Sequence, residues 1–70
     1  MIGEKMKELE SMYGGYRMKI RYSDNEDFAQ VSVYDLSNLR FPLMWSKGMS
    51  KAQANGAKAL FEASGYFEIA

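Results

Sequence analysis

Tyr16-Arg17-Met18-Lys19-Ile20-Arg21-Tyr22, the polar cluster Ser23-Asp24-Asn25-Glu26-Asp27, and Phe28-Ala29-Gln30-Val31-Ser32-Val33-Tyr34 decide the fold. In residues 16–22, Tyr16, Met18, Ile20 and Tyr22 alternate with Arg17, Lys19 and Arg21. Side chains of a strand point to opposite faces in turn, so one face is apolar and the other cationic. Residues 28–34 resume the alternation, with Ala29, Val31 and Val33 on one side and Gln30, Ser32 and Tyr34 on the other. Pairing Ile20 with Val31 sets Tyr22 opposite Ala29 and Met18 opposite Val33. One face of the ribbon is then wholly apolar, and Asp24–Asp27 becomes a hairpin loop of common length. A slip by one residue would set Ile20 opposite Gln30, which a buried face penalises.

Outward from this ribbon the signals are weaker. Ile2, Met6, Leu9 and Tyr13 fall at intervals of four, three and four, which predicts a helix over 2–13 ended by Gly14-Gly15. Residues 35–40 read as a loop or a single helical turn. Phe41-Pro42-Leu43-Met44-Trp45 reads as a third strand, confined to an edge or a strand start by Pro42. Phe41 and Leu43 are expected to turn inward, while Trp45, at the segment end, fits the core or a partner-binding anchor equally. Ser50 and Gln53 form a capping box for a second helix. Ala54, Ala57, Leu60 and Phe61 are its apolar stripe and Gly65 its C-cap. Gly56 costs about 1 kcal/mol against Ala in a helix, so a close approach to the sheet is expected there. Tyr66–Ile69 reads as a short terminal strand. The expected architecture is α+β in the order α-β-β-β-α-β, a single domain over 1–70 with two helices on the apolar face of an antiparallel sheet.

Composition narrows the chemistry. The chain has 70 residues, with nine Lys plus Arg against nine Asp plus Glu and neither His nor Cys. Imidazole bases, thiol nucleophiles, zinc fingers and disulfides are excluded. Catalysis is not expected, and neither a cofactor nor a metal. The acidic loop (Asp24, Glu26, Asp27) lacks the spacing of a calcium site. Ser46, Lys47, Gly48 and Ser50 lack a nucleotide-binding glycine loop, so capping accounts for them. No apolar run approaches the roughly 18 residues of a membrane helix, and charge comes too early for a secretory signal. A cytoplasmic protein without a membrane partner is expected.

What remains points to binding. Six Met, five Tyr, four Phe and one Trp outnumber Leu, Ile and Val together. Met and aromatic side chains recur at adaptable interfaces. The charges are segregated: Asp24, Glu26, Asp27 and Asp35 precede Arg40, Lys47, Lys51 and Lys58, a dipolar arrangement that can orient a protein partner. No motif identifies a molecular function. The candidate partner-binding residues are Arg17, Lys19 and Arg21, for charge-assisted contacts to carboxylates, with Tyr34 and Trp45 as anchors. By size and missing chemistry alone, the chain resembles as a class the small inhibitors with which bacteriophages and other mobile elements occlude a surface of a bacterial host protein. Two alternatives stand beside this. One is nucleic-acid binding on the cationic strand face 17–21, which the neutral total charge opposes. The other is a self-associating structural subunit, for instance a homodimer, because so small a core gains from a second copy.

Overall fold

The computed structural model describes residues 6–67. Its elements are β1 (Met6–Tyr13), β2 (Tyr16–Ser23), β3 (Ala29–Asp35), β4 (Leu43–Met49) and α1 (Lys51–Ser64). The strands form one antiparallel sheet in the order β1-β2-β3-β4. The helix crosses one face of it, over β1, β2 and β3. The class is α+β, but the order and helix count differ from expectation: one helix, not two, lies on the sheet among the described residues.

The central ribbon forms in the predicted register, with Met18 opposite Val33, Ile20 opposite Val31 and Tyr22 opposite Ala29. Met18, Ile20, Ala29, Val31 and Val33 are buried together with Trp45, Ala54 and Phe61. Phe61 is the helix residue that fills the middle. Its ring stands edge-on to Tyr13 at 6.2 Å and meets Phe67 at 6.4 Å. Phe67 also contacts Tyr16 and Trp45, closing one end of the core with aromatic surface.

Residues 6–13 are a strand, not the helix their spacing predicts; residues 2–5 of that prediction lie outside the described range. Gly14-Gly15 is the turn of a β1–β2 hairpin, with Tyr13 opposite Tyr16. Gly14 has φ 57°, and a positive φ at the first central position is the pattern of a type II′ turn, which suits the twist of paired strands. The apolar alternation is hidden because β1 is an edge strand. Its helix-facing positions are Lys7, Leu9, Ser11 and Tyr13, and its outward positions are Met6, Glu8, Glu10 and Met12. Buried Ser11 is satisfied by donating to Glu62 Oε2 at 2.7 Å.

β4 begins at Leu43 rather than Phe41 and runs on through Ser46-Lys47-Gly48-Met49. Val33 faces Trp45 while Tyr34 faces Leu43, so Met44 is an extra residue, a β-bulge. The bulge sends Trp45 inward and Leu43 outward, and Phe41 stays 72% exposed in the preceding loop. The expected inward placement of Phe41 and Leu43 therefore fails, and Trp45 takes the core position instead. Gly48 lies under the Phe28 ring, and a Cβ there would run into it.

The helix ends as predicted. Ser50 is extended (φ −68°, ψ 160°) and makes both bonds of the capping box with Gln53. Asp27 Oδ1 accepts from the Lys51 amide at 3.1 Å, tying the hairpin loop to the helix start. Gly65 is left-handed at φ 72°, donates to Phe61 O, and lies under the Tyr13 ring. Two details differ. Leu60 is 53% exposed because Ala54 and Phe61 carry the buried seam. Gly56 makes no close approach: a Cβ there meets nothing within 4 Å. Tyr66 and Phe67 are not in a strand, and Glu68 and Ile69 lie outside the described residues.

Candidate partner-binding face

The sheet has two faces and the helix covers one. The other carries, from β2, Arg17, Lys19 and Arg21, and from β3, Gln30, Ser32 and Tyr34. These are the outward positions of the predicted ribbon. Trp45 is not with them. It is 8% exposed and on the helix side, packed against Phe67, so it serves the core and cannot anchor a partner on the outer face.

The face is also less cationic than β2 alone implies. The pairing of β1 sets Glu8 opposite Arg21, Glu10 opposite Lys19 and Met12 opposite Arg17. Arg21 Nε lies 3.4 Å from Glu8 Oε2, and Lys19 Nζ lies 3.8 Å from Glu10 Oε2. Exposed pairs of this kind contribute roughly 0.2–1 kcal/mol. They leave the side chains able to exchange partners, but they offset two of the three cations of the strand and leave Arg17 uncompensated. Reading residues 6–13 as a helix concealed these two carboxylates. The period-two placement of Glu8 and Glu10 next to a Gly-Gly turn was the signal that could have found them.

At one end of the face the ladder of opposite charges stops. Arg17 has Met12 on one side and Tyr34 on the other. Its Nε is buried without a protein acceptor. Beside it lies a depression of about 210 Å³ lined by Arg17, Lys19, Tyr34, Leu36 and Pro42. Lys19 Nζ also stands over the Tyr34 ring, 5.7 Å from its centroid. The rest of the row is apolar: Met12 and Leu43 are each 52% exposed.

The β3–β4 loop borders this end and is held by its own polar groups. Asp35 Oδ1 accepts from the Ser37 amide and hydroxyl, and Asn38 Oδ1 accepts from the Phe41 amide. The Leu36 amide donates to Gly15 O and the Asp35 amide to Pro42 O. The fixed loop projects Leu39 into solvent, 91% exposed, beside Phe41. The Arg40 guanidinium lies 6.0 Å from the Phe41 ring centroid.

The acidic loop has structural duties. Asp27 accepts from the Lys51 amide at the helix start, and Asp24 pairs with Lys7 at 2.6 Å. The hydrogen bond with Lys7 lowers the Asp24 pKa and raises that of Lys7. Among the described residues no group of three or more acidic, His or Cys side chains is placed to hold a metal ion, and no helix is long and apolar enough to cross a membrane. A second depression, about 350 Å³, runs between β4 and α1 and is lined by Trp45, Met49, Gly56, Ala57, Leu60 and Phe67 among others. Compared with known protein families, curated proteins and solved structures, the chain matches none.

Proposed function

We propose that this chain is a non-enzymatic protein-binding module that acts by stoichiometric occlusion of a partner's surface through the helix-free face of its sheet. One observation carries the reading. A face that no described element covers ends in a row of exposed or half-exposed apolar side chains (Met12, Tyr34, Leu43) flanking Arg17, next to a hydrogen-bonded loop that projects Leu39 and Phe41. A contiguous exposed apolar patch rimmed by charge is the usual mark of an interaction surface. A loop already fixed in place loses little entropy on binding. The interleaved Glu8, Arg21, Glu10 and Lys19 suit a protein rim of mixed charge and oppose a polyphosphate backbone. With neither His nor Cys in the chain, the reading extends to the class of small phage and mobile-element inhibitors of bacterial host proteins.

The test is affinity purification from bacterial lysate with three baits. Wild type and Leu60→Asp, which alters the helix side, should recover the same partner after nuclease treatment. Leu43→Asp, which places a charge in the apolar row, should lose it. Recovery of the same partner with Leu43→Asp, recovery that vanishes with nuclease, or self-association alone would reject the reading.

A further inference from the structure

Resting on that reading, we propose that the depression at Arg17 receives one carboxylate side chain of the protein partner. Strand β1 offers a glutamate to Arg21 and another to Lys19, but a methionine to Arg17. No hydrogen bond or ion pair within the described residues involves Arg17, and its Nε–H is buried without an acceptor. Leaving such a donor unmatched is unfavourable, and more so for a charged group. Nε itself is out of a partner's reach, but the two terminal nitrogens of the same guanidinium are not buried in this way and have no acceptor among the described residues, so an acid brought by a partner meets them. The guanidinium fork fits a carboxylate with two parallel bonds, and a partner that covers the depression excludes water from them against Tyr34, Leu36 and Pro42.

The size of the depression selects the ligand class. About 210 Å³ falls below the roughly 300–1,000 Å³ of a small-molecule pocket and suits a single side chain. The carboxylates at Glu8 and Glu10 lie along the same face and repel a run of phosphates, whereas one acid can dock at the Arg17 end, where no β1 carboxylate stands. The neighbouring Met12 and Leu43 ask for apolar residues beside that acid. The partner's segment therefore carries an Asp or Glu adjacent to apolar side chains.

Peptides selected from a random displayed library on the immobilised protein are the probe. Binders blocked by Leu43→Asp should each carry an Asp or Glu. Changing that acid to its amide should weaken binding to wild type by about tenfold or more, since bonds to a charged group are strong. Against Arg17→Gln the same change should have almost no effect, and Arg17→Lys should fall between. The thermal melt of Arg17→Gln should match wild type, showing that the loss is not one of folding. Binders that lack an acid, an equal amide penalty on wild type and Arg17→Gln, or no binder at all would overturn the carboxylate site. Tighter, steeply salt-dependent binding of single-stranded DNA would overturn it in favour of a phosphate ligand. Peptides blocked by Leu43→Asp yet indifferent to Arg17 would sink this inference alone. Peptides indifferent to Leu43→Asp would sink the outer-face reading itself.

Discussion

Gly56→Ala should stabilise the protein, and the structure supplies both sign and size. Gly56 lies in the interior of α1 and is exposed. A Cβ built on it meets nothing within 4 Å, so no steric cost offsets the gain in helix propensity. That gain is about 0.8–1.0 kcal/mol. A core in a chain this short supplies about 3–5 kcal/mol in total, so the change is roughly a sixth to a third of the stability. The melting temperature should rise by about 4–8 °C, and the urea midpoint should rise with an unchanged m-value. Gly65→Ala is the counterpart of opposite sign. Gly65 has φ 72° and lies under the Tyr13 ring, where a left-handed Ala costs about 1–2 kcal/mol before the ring must move. Equilibrium urea denaturation of both variants checks the pair. A destabilised Gly56→Ala would show that the helix sits closer to the sheet than described, and an unaffected Gly65→Ala would refute the cap.

Three further outcomes follow from the packing and the ion pairs. Phe61→Ala should cost about 3–5 kcal/mol and leave the protein largely unfolded, whereas Leu60→Ala, one residue earlier but 53% exposed, should melt close to wild type; circular dichroism distinguishes them. Ser50→Ala removes the acceptor for the Gln53 amide and should cost about 0.5–2 kcal/mol in urea denaturation. The Glu62 pKa is lowered, first by the Ser11 hydroxyl and then by Lys58. A lowered carboxylate contributes stability that is present above its unfolded value of about 4.3 and is lost as pH falls through the folded value. Denaturation midpoints of wild type should therefore fall across that acid range, and Glu62→Gln should flatten part of the decline.

The fold was legible wherever one face of an element is fully buried. The alternation from Tyr16 to Tyr34 fixed both strands and their register, because a slip would bury Gln30. Capping of α1 was legible because it is local: Ser50, Gln53 and Gly65 act within a turn of themselves. The edges were not legible. β1 presents Lys7 and Ser11 on its inner side and Met6 and Met12 on its outer side, so binary patterning inverts there, and tertiary pairing overrides a composition that favours helix. The bulge at Met44 depends on the register of β3 against β4 and left no local mark; it separated Leu43 from Trp45. The site suffered from the same error. Alternation puts Arg17, Lys19, Arg21 and Tyr34 on the outward face, where the pairing has them, but the two carboxylates that offset part of their charge belong to the strand whose spacing predicts a helix, and Trp45 is in the core.

The account rests on β1 lying beside β2 with its glutamates against Arg21 and Lys19 and its methionine against Arg17. Cross-strand nuclear Overhauser contacts measured by NMR on the isotopically labelled protein test this directly. Contacts are expected from Glu8 to Arg21, Glu10 to Lys19 and Met12 to Arg17, with extended-strand chemical shifts over residues 6–13. Helical shifts there, with contacts between residues three apart in the chain and none to β2, would contradict it.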